Sequence, residues 1–278
     1  NAIFAQRANL FKPRFLRFVY EMVRFIKILR KEYLDNALPA TTLSEYAAQK
    51  GFHREVMDQF IVPMAAAIWS GSDFQISRFP IRTFAQFYEN HGLLAVTGHP
   101  PWFYVKGGSH TYVKAFLKTF RGRAVKNSKV VRISRRTDGV TLYFSDGEPQ
   151  KFEAVVIAAH ADQALRLLEK PSEQERSLLG AWSYSQNRTF LHTDTRVMPP
   201  NRRAWASWNY TRLADSDDAS PVTVSYDMTH LQKLNTRQRY FVTLNPLRPI
   251  PDHHVIKEIQ YTHPQYSFAA FRSQDKLP

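Results

Sequence analysis

The chain has 278 residues, with 44% hydrophobic and 14% aromatic side chains, enough apolar material for a large core and against wholesale disorder. It has no cysteine, which excludes disulfides, thiolate metal sites, a cysteine nucleophile and a cysteinyl-linked cofactor. A formal net charge of +14 points to an anionic partner, whether lipid surface, nucleic acid or cofactor, unless acidic sequence outside the chain compensates it.

Residues 1–95 read as helical. In "PRFLRFVYEMVRFIKILRKEYL" the apolar residues Phe15, Phe18, Val19, Met22, Val23, Phe25, Ile26 and Leu29 mostly follow i, i+3, i+4 spacing, with basic residues between them. "TTLSEYAAQKGF" predicts a second helix, with Thr41 or Thr42 as N-cap and Gly51 as C-cap. "EVMDQFIVPMAAAIWS" predicts a third, broken or kinked near Pro63. "PIRTFAQFYENHGLL" predicts a fourth, opened by Pro80 and closed by Gly92.

Residues 96–180 change character. An aromatic stretch, "PPWFYV", leads to a Gly107-Gly108 turn and a helix from about Thr111. Strands follow, joined at Asp138-Gly139 and Asp146-Gly147, both strong hairpin signals. "EAVVIAAHADQALRLLEKP" then predicts a buried strand, Ala154 to Ala159, running into a helix that begins near Ala161. That is the shape of a nucleotide-binding βα unit, yet its turn, Ala158-Ala159-His160, has no glycine where a pyrophosphate needs close backbone approach. Residues 181–278 are strand-rich: 188–193, 203–209, 222–227, 240–244 and 256–262, punctuated by Pro199-Pro200, "ADSDDASP" and "NPLRPIPD". An antiparallel sheet is the simplest assembly.

Several chemistries lack their motifs. There is no GxGxxG, no Walker loop, no GxSxG elbow and no HExxH. Ser109-His110 are adjacent in a turn, a poor geometry for a nucleophile and its base. His91, His160, His192 and His263 read as hydrogen-bonded structural residues rather than metal ligands. No RNP motif or zinc finger supports nucleic-acid binding. The basic first helix reads as a core face plus a solvated face, though its arginines and aromatics also suit an anionic interface. No apolar run approaches the ~18 residues of a membrane span, and no signal peptide is visible.

The ordered set "PMAAAIWS", "FPIRTFAQFYENHGLL", "WFYVKGGSHTYV", "VVIAAHADQALRLL", "LHTD", "MPPNRRAWASWNY" and "VSYDMTHLQ" resembles bacterial predicted NAD/FAD-binding proteins of the flavin-containing amine-oxidase-like class, over nearly the whole chain. The resemblance implies an α+β chain with a partial FAD-linked oxidoreductase fold: residues 1–95 the helical part of a substrate domain, 96–180 the middle of an FAD-binding domain with a three-stranded insertion and a returning strand, and 181–278 the sheet part of the substrate domain. It implies FAD as cofactor of the full-length protein. Both terminal FAD motifs of the family are missing, so the chain reads as a middle segment that binds FAD poorly and is inactive by itself. A first residue of Asn rather than Met fits a processed product or an excised piece.

By the same resemblance, Val130 matches the position whose backbone contacts the adenine end of FAD. Ala158, Ala159 and His160 match the turn over the cofactor edge. Trp205, Ser207 and Asn209 would share one face of a strand, and Trp208 the other with Ala206 and Tyr210. One face of the sheet would line a substrate cavity, to which Trp69, Trp102, Asn187, Trp205, Trp208 and Tyr226 are the candidates. No catalytic acid or base and no metal ligand is assigned. Typical amine oxidases carry a lysine on the strand after the returning unit; here "SQNRTFLHTD" has Asn187 or Arg188 nearest that position. The reading is therefore hydride transfer to flavin from an apolar or lipid-like substrate, in a cytoplasmic protein peripheral to the inner membrane. The other classes are a non-catalytic lipid carrier and a basic scaffold on an anionic membrane or nucleic acid.

Overall fold

The computed structural model describes residues 6–95, 97–98, 100–213 and 222–277. "ADSDDASP" lies outside the described residues. The chain forms two compact units. One comprises the residues up to Lys106 together with Ser185–Gln265; the other comprises Gly107–Tyr184 and the residues from Tyr266 on. Residues 181–184 and 266–277 thus group with the second unit.

The first unit opens with a 3-10 turn, Arg7–Phe11, and helix α1, Pro13–Leu34. Proline at the first helical position costs no hydrogen bond, because that N–H has no intrahelical acceptor. The inner face of α1 buries Met22, Phe25 and Leu29. Phe25 meets Tyr46, Phe52 and Phe84 edge-on, at 5.2 to 6.4 Å between centroids. Helix α2, Leu43–Gln49, is capped by Thr42, whose hydroxyl accepts from the Glu45 N–H while the Glu45 carboxylate accepts from the Thr42 N–H. Gly51, just beyond it, has φ +65°.

The third predicted helix is divided as Pro63 requires. Helix α3, Arg54–Val56, widens into a π turn over Met57–Ile61, closed by the Val62 N–H on the Met57 carbonyl, before α4, Val62–Trp69. Proline has no N–H to give the preceding turn, and the wider turn absorbs the mismatch. Helix α5, Asp73–Ser77, has a second reciprocal cap, Ser72 with Gln75. Helix α6, Ile81–Asn90, follows Pro80, and Gly92 ends it at φ +68°.

In the second unit, helix α7, His110–Thr119, buries none of its residues. Strands β1, Val130–Arg136, β2, Gly139–Phe144, and β3, Gln150–Phe152, form an antiparallel sheet in that order. The segment 154–159, expected as a buried strand, has no strand pairing, and Val156 is 92% exposed. An apolar run becomes a strand only when neighbours take its N–H and C=O groups, and among the described residues none do. Helices α8, Ala161–Leu167, and α9, Glu173–Leu179, follow. Ion pairs from Arg132 to Glu169 and from Arg135 to Glu175 tie β1 to this helical stretch, and the second helps hold the Glu175 carboxyl down to about 2.

Strands β4, Ser183–His192, β5, Trp208–Thr211, and β6, Thr223–Asp227, lead into helix α10, Met228–Leu231. Strands β7, Phe241–Leu244, and β8, Val255–Gln265, complete a five-stranded sheet ordered β5-β6-β7-β4-β8. The β5/β6, β6/β7 and β7/β4 pairs are antiparallel. Helix α11, Phe268–Gln274, belongs to the second unit, where the Trp182 indole N–H donates to Ser273 Oγ at 3.0 Å.

The strand expected over 203–209 is shorter than its pattern. Residues Arg202–Ala204 form a 3-10 turn, with Asn201 Oδ1 accepting from the Arg203 N–H. The Asn209 side chain then closes a second turn, accepting from the Ala206 N–H and donating to the Ala206 carbonyl. Two asparagines thus offer the backbone local partners that compete with the ladder. Trp205 and Ser207 precede β5 and share no strand face with Asn209.

Candidate functional site

The register of the first unit's sheet sorts its side chains. Trp208, Tyr226, Val242 and Leu191 lie opposite one another in adjacent strands, so they share a face. Tyr210, two residues on, and Asn187, four residues back from Leu191, share it too. This face meets the helices: the Tyr226 hydroxyl donates to the Ala67 carbonyl of α4 at 3.3 Å, and the Tyr210 hydroxyl donates to Asp73 of α5 at 2.9 Å. Burial pushes the Tyr226 phenol up, so it stays protonated as a donor.

A continuous series of rings runs from the helices to this face. Trp69 lies 4.8 Å from Phe87, and Phe87 stacks on His91 at 3.9 Å. His91 is 6.3 Å from Trp102, Trp102 meets Trp208 edge-on at 6.1 Å, and Trp208 meets Tyr226 at 6.2 Å. His91 Nδ1 is fixed at 2.7 Å from the Phe87 carbonyl. The inner end is core, since Trp69 is buried and also stacks on Phe79 at 4.6 Å. The outer end is open: Trp102 is 61% and Trp208 40% exposed. Four of the six substrate candidates, Trp69, Trp102, Trp208 and Tyr226, fall in this series. Phe87 and His91, which link them, carried no sequence signal beyond the helical spacing of α6.

The other two candidates stand apart from it. Asn187 is buried in a polar network: its Nδ2 donates to Ser185 Oγ at 3.1 Å and lies 3.0 Å from His263 Nδ1, and its Oδ1 accepts from Asn245 at 2.9 Å. Arg188 pairs with Glu258. Trp205 is on the other side of the sheet, with its indole N–H on the Pro199 carbonyl at 2.7 Å, its ring edge-on to Phe241, and the Arg202 and Arg239 guanidiniums over it.

That opposite face holds a second polar cluster. His192 is fully buried, and its Nδ1 accepts the Asp194 N–H at 3.1 Å. Nδ1 therefore carries the lone pair, and the Nε2–H donates to Thr243 Oγ1 at 2.8 Å. Thr243 Oγ1 also shares a hydrogen bond with Ser225 Oγ at 2.9 Å. Burial lowers the His192 pKa to about 4, against a smaller opposing pull from Asp194.

The four cofactor candidates lie in the second unit. Val130 begins β1, half-buried and opposite Phe144. Ala158 and Ala159 are exposed. His160 is the N-cap residue of α8 but makes no side-chain cap; its ring lies parallel to Tyr184 at 4.6 Å, and the Tyr184 hydroxyl accepts the Ala161 N–H at 2.8 Å. Tyr184 was not foreseen from the sequence, and it takes a donor at the mouth of α8 that a phosphate would otherwise use. These residues do not form a pyrophosphate cradle, which needs converging backbone N–H groups. Among the described residues no cluster of three His, Cys, Asp or Glu could hold a metal, and no helix is long and apolar enough to cross a membrane.

Helices packed on an antiparallel sheet, joined to a unit with a three-stranded sheet and a βα-like turn, make an α+β architecture. Solved structures share it at low identity. Cyclohexylamine oxidase from Brevibacterium oxydans IH-35A superposes with a TM-score of 0.59 at 13% identity, over 92% of this chain and 66% of that one. A single-residue mutant of putrescine oxidase gives 0.56 at 11% identity, over 82% and 52%, and the wild type bound to putrescine gives 0.54 over the same shares. The chain spans about half the length of these putrescine oxidase structures. No curated protein matches it. The family model for flavin containing amine oxidoreductases matches residues 6–247, and the chain belongs to that family.

Proposed function

We propose that the whole protein is an FAD-dependent oxidoreductase that removes a hydride from an apolar, lipid-like substrate. In this reading the first unit is the substrate part, and the second is the FAD part, which contributes Val130, Ala158, Ala159 and His160 to the cofactor's flank. The observation that carries the substrate class is the ring series ending in Trp102 and Trp208. Two partly exposed indoles set edge to face give a flat or acyl substrate an apolar surface, and the buried rings behind them hold those indoles in place. The series contains no carboxylate to pair with an ammonium. At Asn187 and Arg188, where a typical amine oxidase has its lysine, the side chains are held in a polar network and an ion pair.

A bound flavin would supply the hydride acceptor. The residues of the chain would bind the substrate, orient it and exclude water. The test is anaerobic mixing of the flavin-loaded whole protein with unsaturated acyl lipids on one side and with cyclohexylamine and putrescine on the other. Bleaching of the flavin by the lipids is expected, with KM raised at least about ten-fold in Trp102→Ala and Trp208→Ala, the loss of roughly 1.4 kcal/mol of stacking. Bleaching by the amines alone would return the protein to amine oxidation, as in the named relatives. A tightly held lipid that never bleaches the flavin would make it a carrier.

A further inference from the structure

The outer face of α1 is unlike a solvated helix face. Leu16, Tyr20, Lys27, Lys31 and Leu34 are all exposed, and their spacing of 4, 7, 4 and 3 residues puts them on one side. The 3-10 turn before the helix adds exposed Leu10 and Phe11. Phe11, in the turn, is 86% exposed and Tyr20, in the helix, 66%, a large cost in water for two aromatic rings.

At the N-terminal end of this stretch the charges have one sign. Between Gln6 and Tyr20 there are four basic residues, Arg7, Lys12, Arg14 and Arg17, and no acidic one. Arg14 is spent on Glu55, and Arg17 lies against His53. Arg7, Lys12, Lys27 and Lys31 have no ion-pair partner among the described residues. The two carboxylates within α1 are engaged elsewhere: Glu21 is buried and pairs with Arg24, while Glu32 takes Tyr46 and Lys50. Asp35, just past the last turn, is the nearest acidic side chain without a partner of this kind.

We infer that this face, from Leu16 through Leu34, together with the 3-10 turn before it, docks the protein on an anionic lipid bilayer. Aromatic and aliphatic side chains at one end and unpaired lysines along the same side are the two parts an interfacial helix needs: one enters the acyl boundary, the other stays at the headgroups. A nucleic acid would use the cations but leave Phe11, Leu16 and Leu34 in water, so the exposed apolar side chains favour the bilayer. The inference does not depend on the proposed flavin chemistry.

The test is co-sedimentation of the chain with phosphatidylcholine vesicles, with and without phosphatidylglycerol, at low and high salt. Binding to the anionic vesicles is expected, weakened by salt. Lys27→Gln and Lys31→Gln should each weaken partitioning about five-fold, since a cation at a membrane surface is worth roughly 1 kcal/mol. Phe11→Ser with Leu16→Ser should abolish the salt-resistant part. All four positions are exposed, so unchanged circular dichroism is expected, and a variant that loses its fold is replaced by Tyr20→Ser. Equal binding by wild type and variants, or no preference for the anionic vesicles, overturns the inference. So does tighter retention on duplex DNA that the same lysine changes abolish.

Discussion

His192 is the residue whose ionisation the fold opposes most clearly. Its neutral tautomer accepts the Asp194 N–H and donates to Thr243, and protonating Nδ1 would set two donors against each other. The folded pKa of about 4 lies below the ordinary value of 6.5. As pH falls, the unfolded chain takes the proton first. The contribution is therefore complete above about 6.5, declines between 6.5 and about 4, and is flat below that. The loss is on the order of 3–4 kcal/mol, since each pKa unit is worth about 1.4 kcal/mol. Urea unfolding across this window should show the decline in the wild type and a much flatter profile in His192→Asn. A wild-type stability that does not fall between these two values would refute the assignment. Asp194, lowered by its bonds from Arg196, adds a separate loss only as pH falls below the ordinary carboxylate range.

The elements raise the matter of what local sequence can specify. The Asp138-Gly139 and Asp146-Gly147 hairpins are both readable, but the two glycines are not equivalent. Gly139 has φ +136°, and a Cβ there would sit 2.6 Å from the Phe152 carbonyl; Gly147 has φ +99° with open space around it. Alanine at 147 meets only backbone strain, about 1–2 kcal/mol, whereas alanine at 139 must also push β3 away, for roughly 3 kcal/mol or more. Thermal unfolding should order the variants Gly147→Ala above Gly139→Ala, and the reverse order would contradict the β2/β3 register. What was legible follows the same division. Helix α1, the Thr42 cap, the break before Pro63 and the hairpins were legible because each rests on neighbours within four residues. The cap of α5 by Ser72 and Gln75 was equally local and was missed. The strand at 154–159 failed because its pattern says nothing about whether pairing partners exist. Trp205 left the expected strand because Asn201 and Asn209 competed for its backbone. Of the candidate site, Trp69, Trp102, Trp208 and Tyr226 were named; of the rings that join them, His91 was read only as a structural histidine and Phe87 was not named. The Phe87–His91 stack is an i, i+4 pair of α6, but the contact of His91 with Trp102 depends on how the aromatic stretch packs on α6, and no periodicity encodes that.

At the scale of the whole molecule, the family and the missing phosphate motif pull in different directions. Membership in the flavin containing amine oxidoreductases implies a flavin, and +14 of net charge would attract the phosphates of one such as FAD at long range. Attraction of that kind is not a site. It is shared among many exposed cations and screened beyond about 8 Å at physiological salt. A tight site needs converging backbone donors, and in the βα-like turn the Ala161 N–H is already taken by Tyr184. The exposed Ala158 and Val156 offer apolar contact but no anchor for a charged group. Titration of this chain with FAD should therefore give binding weaker than about 10 μM at moderate salt, falling steeply as salt rises, with ADP binding about as well as FAD. The similarity with ADP follows because only the phosphates would be sensed. Stoichiometric, salt-insensitive binding in the nanomolar range would mean that the chain builds a pyrophosphate site without the glycine motif. In that case Tyr184→Phe, which leaves the Ala161 N–H without its acceptor, would be the first variant to compare, since freeing that donor should strengthen such a site and has no reason to change a diffuse one.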